Sequence, residues 1–372
     1  MAGLYLHIPF RRARRSYDDS YYVVAEAPDF EHYQAALCRE LQSYVEPQVT
    51  DEPITTLYVG GGRASLLPFA RARSILRTLL ETIDVSAVEE VTVEVSPADA
   101  SRRSLHDLKR LGVNRLSLEV LSFSSEPLRA ANAPHSVTDA RRALQHTRDA
   151  GFDTVSVDLL FGLPSQSVGT WEATLREALK RDVPHITIME AAAPDSASEE
   201  KRAEQLKRAM TLLESEGYEQ YELTHFARPG HRSLHQENHY AHGNYIGVGP
   251  SAESFWWTNR AGSGRARRWA NVSDVDRYAE LLRQRYPPAS YRQTLNEREL
   301  AQEYILLRLR TSAGLDLRQL ALRYGVDLQT EKETLLHRLR DDHLIHDDPD
   351  CIRLTPRGRL LTDAITTKLL PS

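Results

Sequence analysis

Short apolar runs rich in β-branched residues alternate along the chain with longer segments of helical period, the pattern of repeated βα units and a parallel sheet. The runs predict strands at Leu4–Ile8, Thr56–Val59, Val91–Val95, Arg115–Val120, Thr154–Leu160 and His185–Met189. The periodic segments between them predict helices at Phe30–Tyr44, Phe69–Ile83, Leu105–Leu111, Val137–Ala150, Thr170–Lys180 and Glu199–Glu216. Both faces of every strand read as buried, so the expectation is an α/β fold, a partial barrel of six βα units, with a doubly wound sheet as the alternative. After Gly217 the texture changes. Residues 217–255 are rich in His, Gly, Tyr and Pro without a clear period, which predicts a segment packed over the barrel mouth. Residues 260–268 read as an exposed Arg/Gly-rich loop, and Pro287 marks a boundary. From Leu295 a helical pattern followed by LIHDDPDCIRLTPRGRLL predicts a small winged-helix-like α+β domain. The organisation expected is therefore a barrel core at 1–216, a capping region at 217–290 and a C-terminal domain at 291–372.

Composition narrows the function classes. A hydrophobic share of 41% and a charged share of 27% over 372 residues describe a globular protein able to bury a large core. The formal charge of -5 argues against nucleic acid or acidic membranes as partners. No apolar run approaches a membrane span, and MAGLYLHIPF has neither a charged start nor a cleavage site, so a cytoplasmic location without an integral membrane segment is expected. The 2 cysteines, Cys38 and Cys351, are too few for a disulfide framework or a thiolate cage and read as packing residues.

Candidate chemistry gathers where a parallel barrel puts it, at the C-terminal strand ends. Glu94, Glu119, Asp158 and Glu190 stand there, each readable as a salt-bridge or capping partner and together as a polar mouth. Gly60, Gly61 and Gly62 follow the second strand, where their amides could meet a ligand carboxylate or phosphate, or simply make a tight turn. The stretch from Phe161 to Pro164 ends the fifth strand in the same way. His231, His235, His239 and His242 would share one face of a helix and could hold zinc or heme iron, although Pro229, Gly230 and Gly243 favour a loop. Arg11, Arg12, Arg14 and Arg15 crowd the first loop, with Asp18 and Asp19 just beyond, as a solvated charge run or as a guanidinium fork for ligand carboxylates.

GLYLHIPF at Gly3, LYVGGG at Leu57, VTVEVSP at Val91, GVNRLSLEVLSF at Gly112, VSVDLLFGLPSQ at Val155, GYEQYEL at Gly217, FARPG at Phe226, YIGVGPSAESF at Tyr245 and LTPRGRLL at Leu354 stand in order along the chain. With these blocks the sequence resembles the oxygen-independent coproporphyrinogen III oxidase family of radical SAM proteins, and most closely its HemW heme-chaperone branch. The resemblance implies a radical-SAM-type barrel. In that family HIPF precedes C-x-x-x-C-x-x-C, whose thiolates hold a [4Fe-4S] cluster open to S-adenosylmethionine. Here the three positions are Arg11, Arg15 and Asp18. Iron–sulfur clusters need soft anionic ligands, and a guanidinium has no lone pair to give.

By the same resemblance Tyr5, Gly61, Gly62, Glu94 and Asp158 match S-adenosylmethionine contacts. Arg63 and Ala64 replace a Thr-Pro, Leu121 replaces a glutamine, and the arginine before His135 is missing. The branch's heme-associated H-N-x-x-Y-W is here HQENHY, which keeps His235. Arg11, Arg15 and Arg63 are new cations, and Asp18, Glu119 and Glu253 are new anions at family Cys, Gly and His positions, so an ion-pair mesh is expected to fill the vacated mouth. Three functions follow: binding heme or a related tetrapyrrole through His235 for delivery to an acceptor protein not identified by sequence; a pseudoenzyme that only binds a protein partner; or acid–base catalysis by Glu94, Glu119 and Asp158.

Overall fold

The computed structural model describes residues 1–15, 17, 21–43, 52–163, 166–192, 197–258 and 265–371. Strands β1 (Ala2–Ile8), β2 (Ile54–Gly61), β3 (Glu90–Val95), β4 (Arg115–Leu121), β5 (Thr154–Phe161) and β6 (His185–Glu190) lie side by side in chain order, all parallel. A doubly wound sheet would reverse its strand order at a switch point, and this sheet does not. Helices α1 (Phe30–Ser43), α2 (Phe69–Thr82), α3 (Arg102–Arg110), α4 (Val137–Asp149), α5 (Val168–Lys180) and α6 (Glu199–Ser215) cover the convex face. Serines start four of them: the side chains of Ser101, Ser136, Ser167 and Ser198 each accept from a backbone amide three residues on.

The central strands are buried on both faces, as expected, but only one of the two faces is apolar. Leu116, Leu118, Val155, Val157 and Ile186 point outward into a core with Trp171, Leu175 and Leu213. The intervening residues point inward and are polar: Thr92 stands beside Arg115, Glu94 beside Ser117, Ser117 beside Ser156 and Asp158 beside Thr187. Where the barrel interiors of this architecture usually stack aliphatic layers, this one encloses a polar lumen.

The segment after Gly217 extends the sheet instead of only capping it. Of the strands β7 (Glu219–Glu222) and β8 (His225–Ala227), β8 adds antiparallel to β6 and β7 pairs antiparallel with β8 at the sheet's edge. Strand β9 (Asn244–Val248) returns parallel to β1 and leads into β10 (Glu253–Trp257), β11 (Ala266–Asn271) and β12 (Ala289–Leu295), for twelve strands. These strands are short and separated by turns, so their alternation never runs long enough to register in the sequence. Residues 260–264 of the expected Arg/Gly loop lie outside the described residues, and Ala266–Arg268 begin β11. One short helix, α7 (Leu234–Tyr240), lies against β1, β2 and β9, and α8 (Val275–Arg283) packs on α1.

Helices α9 (Glu297–Leu309), α10 (Leu317–Tyr324), α11 (Glu333–Asp341) and α12 (Thr362–Leu369) surround the small sheet of Leu315–Asp316 and Cys351–Ile352, giving the winged-helix-like unit. Its core of Leu300, Tyr304, Leu320, Leu336 and Ile365 takes in Phe255 and Trp257 of β10. Fully buried Glu222 joins the unit to the barrel by accepting from Arg310 Nε at 2.7 Å, beside a backbone bond from Leu223 N to Arg310 O of 2.8 Å. Among the described residues no helix is long and apolar enough to cross a membrane.

Candidate functional site

The loop leaving β1 is tied to the barrel mouth by charge. The Arg15 guanidinium clamps both carboxylate oxygens of Glu119, which projects from the end of β4. Arg11 donates from Nη2 to the Gly61 carbonyl at 3.1 Å and lies 3.8 Å from Glu119 Oε1. Only 4%, 5% and 12% of the Arg11, Arg15 and Glu119 side chains are exposed, so the pair is desolvated and each member depends on the others. The guanidiniums also sit over aromatic rings, Arg11 over Tyr22 and Arg15 over Tyr17.

The mesh is smaller than the sequence suggests. Arg63 turns away to Asp99, with two bonds of 2.6 Å, because that carboxylate lies nearer than the mouth. Glu253, exposed at the start of β10, lines the cleft that Glu94 and His235 share. Asp18 lies outside the described residues. Glu190, expected at the mouth, is exposed and paired with Arg202 at 2.7 Å. Because Arg11 and Arg15 are held by protein acceptors, the first loop does not offer them as a fork for ligand carboxylates.

Inside the lumen Glu94 accepts from Tyr58 Oη at 2.9 Å and from the Gly61 amide at 3.0 Å. Burial, followed by the charges of Glu119 and Asp158, pushes its carboxyl up to about 8. Asp158 accepts from Ser117 Oγ at 2.9 Å; burial raises it to about 6 against that hydrogen bond, with Glu119 adding to the rise. Near neutral pH one of these acids therefore holds its proton while the other is largely ionised. Tyr5 donates to or accepts from His7 Nδ1 at 2.9 Å, and burial lowers His7 to about 4.

A cleft of about 420 Å³ opens beside these groups, lined by Tyr5, Tyr58, Glu94, His235, His239, Tyr245 and Glu253 among others. His235 reaches it from the first turn of α7. Glu90 fixes that turn by accepting from Ser233 Oγ at 3.1 Å and from the amides of Leu234 at 2.9 Å and His235 at 3.0 Å. The imidazole uses Nδ1 on Thr56 Oγ1 at 2.9 Å and stacks on Tyr58 with centroids 5.1 Å apart. It fits because Gly3 has no side chain; a Cβ there would lie 3.0 Å from the ring. Burial, then the neighbouring His239, lowers its pKa to about 4, so the ring is neutral.

The four histidines do not share a face. Only His235 and His239 fall in α7. His231 bonds Thr154 Oγ1 at 3.2 Å, and His242, at φ +59° beyond the helix end, stacks on Phe255 and Tyr324 and reaches Glu303 at 3.3 Å. Among the described residues no group of three or more His, Cys, Asp or Glu side chains could hold a metal ion.

The residues present do not fit an iron–sulfur cluster. Two of the three positions are guanidiniums committed to acceptors, Cys38 lies on α1, and Cys351 lies in the C-terminal sheet. The residues matching S-adenosylmethionine contacts do converge on the lumen, but its own groups satisfy them: Gly61 N donates to Glu94, Gly62 N donates to Ile8 O at 2.7 Å, and the space beside Gly61 (φ +104°) holds the His7 ring. A neutral imidazole at the cleft does fit as an axial donor to heme iron. Sequence reasoning missed Thr56, Tyr58, His7 and Glu90, whose signal was their period-two placement between apolar residues in LHI, TTLYVG and EVTVEV.

Two outcomes follow from this geometry. Replacing Glu119 with glycine removes the carboxylate that Arg15 chelates and should cost about 1 to 4 kcal/mol, seen as a lowered melting temperature; an unchanged or higher temperature contradicts the mesh. For Glu94, raised from 4.5 to about 8, the folded state binds the extra proton, so its contribution is unfavourable to folding increasingly from about pH 4.5 to pH 8. Denaturant titrations should show Glu94→Gln gaining stability relative to the parent across that window, the buried histidines cancelling in the comparison; parallel profiles contradict the assignment.

Comparison with known proteins agrees with this architecture. Residues 24–178 match the radical SAM superfamily, and residues 295–361 match the HemN C-terminal domain. The heme chaperone HemW of Escherichia coli (strain K12) is 30% identical over 262 residues, covering 67% of this chain and 69% of that protein. The heme chaperone HemW of Bacillus subtilis (strain 168) is 27% identical over 381 residues, 98% of each. In fold, the chain superposes on the coproporphyrinogen III oxidase HemN of Escherichia coli, described as a radical SAM enzyme, with a TM-score of 0.84 over 99% of this chain and 90% of that one, at 22% identity. From its parallel barrel through its C-terminal unit, this chain belongs to the HemW heme-chaperone family of radical SAM proteins.

Proposed function

We propose that this protein binds and delivers heme or a related tetrapyrrole on a radical SAM fold without a [4Fe-4S] cluster and without radical chemistry. The observation that carries the reading is the clamp of Arg15 on Glu119, with Arg11 on the Gly61 carbonyl, at the loop where the family's thiolates belong. A mouth stapled by two desolvated guanidiniums offers, among the described residues, no thiolate for iron and repels a further cation. Binding is the part of the family's work that survives that exchange, and the relatives at 30% and 27% identity are named heme chaperones.

His235 is the proposed axial ligand. Its neutral ring needs no deprotonation, Thr56 and Tyr58 fix its plane, and its second nitrogen has no hydrogen-bond partner among the described residues. Among the described residues the cleft lining includes no Lys or Arg, so it offers no cation to hold the propionates of a tetrapyrrole, which suits release to an acceptor protein. A second reading, acid–base catalysis in the lumen, is favoured by the split between Glu94, held at about 8, and Asp158, held at about 6.

Hemin titration with the Soret band as readout separates these readings. The parent should bind saturably, and His235→Ala should shift the band and weaken binding about tenfold, roughly 1.4 kcal/mol, while His231→Ala does neither. Identical spectra and affinities for parent and His235→Ala would remove that residue from the site, and no saturable binding in either would overturn the heme reading.

A further inference from the structure

The two edges of the twelve-stranded sheet are treated differently. At one edge β7 is four residues long and is bridged to the C-terminal unit, Glu222 pairing with Thr311. At the other edge β12 runs seven residues in straight register with β11 from Leu295 opposite Ala266 to Tyr291 opposite Ala270, and every residue from Ser290 to Thr294 is exposed. No described element pairs with its outer side. Natural edges are usually blunted by proline, charged side chains, a bulge or a covering loop; the body of β12, SYRQT, has no proline and a single charge, Arg292, and the register shift in its ladder comes only at the Ala289 end.

Beside this edge a groove of about 590 Å³ runs between the last turn of α8 and β12, lined by Arg277, Leu281, Tyr286, Pro287, Tyr291 and Arg292 among others, with no carboxylate in its lining. Tyr286 is 60% exposed and Tyr291 42%. Neither Arg277 nor Arg292 has an ion-pair partner among the described residues. An unpaired ladder therefore stands next to two exposed aromatic rings and two exposed guanidiniums, of which Arg277 also feels the carboxylate of Glu280 on its own helix.

We propose that β12 is a docking edge for an extended acidic segment of a partner protein, which adds to the sheet as a further strand. The backbone ladder would supply register, and alternate side chains of the added strand, about 7 Å apart, would bring carboxylates to the guanidiniums and apolar groups to the tyrosines. A second copy of this chain is a poorer occupant: β7 is already sealed, and pairing β12 with itself would bring like charges together. An anionic membrane would answer the guanidiniums but leave the ladder unpaired. The proposal stands apart from the tetrapyrrole cleft and does not rest on it.

The test uses the full-length protein and a fluorescein-labelled peptide, Glu-Val-Thr-Val-Glu-Val-Glu, with three controls: the same peptide with lysine for glutamate, the acidic peptide N-methylated at alternate residues, and phosphatidylglycerol vesicles. The acidic peptide should bind saturably, and both control peptides at least tenfold more weakly. The double variant Arg277→Glu/Arg292→Glu should lose at least tenfold for the acidic peptide while melting like the parent, since both side chains are exposed. Equal binding of the N-methylated peptide, an undiminished affinity in the double variant, capture by vesicles without peptide binding, no saturable binding of the acidic peptide, or a stable dimer closed at β12 in sedimentation would each overturn it.

Discussion

An ion pair between Arg15 and Glu119 ties the mouth of this barrel together. Glu119 comes from the end of β4 and Arg15 from the loop after β1, and nothing in local sequence makes them neighbours; the chelate between them, completed by Arg11 on the Gly61 carbonyl, pins that loop across three strand ends. Removing a buried partner exposes its mates to an uncompensated desolvation penalty, so the three residues behave as one unit. Their charge also sets the chemistry beneath them, because Glu119 helps to hold Glu94 in its protonated form and raises Asp158.

Below the clamp the lumen is a stack of polar residues closed at its foot by α7. Glu90 fixes the helix start and lies 3.9 Å from Arg115. The same carboxylate thereby orients the turn that carries His235, and the missing side chain at Gly3 leaves room for the ring. Neutral histidines and a neutral Glu94 make the cleft polar without giving it a cation, which suits an apolar cargo held through a nitrogen donor.

Most of the parallel barrel was legible because strands of five or more residues and helices with serine caps leave unmistakable periods. The polar lumen was not, since VTVEV and RLSLEV satisfy a reading as buried runs as well as one as alternating strands until a second layer is seen on only one side. The strands after Gly217 escaped because turns cut them below the length at which period two is visible. Of the six charge substitutions, sequence order could identify the residues but not their partners: Arg63 found Asp99, Glu253 joined the lining of the His235 cleft, and Glu119 met both arginines. His235 was legible through family resemblance, whereas its supports Thr56, Tyr58 and Glu90 lie far from it in sequence and only the fold assembles them.

The central claim, that side-chain charge has replaced the cluster, is tested most directly by anaerobic reconstitution of the full-length protein with iron and sulfide, followed by absorbance and iron analysis after desalting. The account predicts iron at the background level and no thiolate-to-iron charge-transfer absorption, because the chain has only two cysteines, Cys38 on α1 and Cys351 in the C-terminal sheet, and none at the three family positions. Stoichiometric iron with that absorption would contradict it.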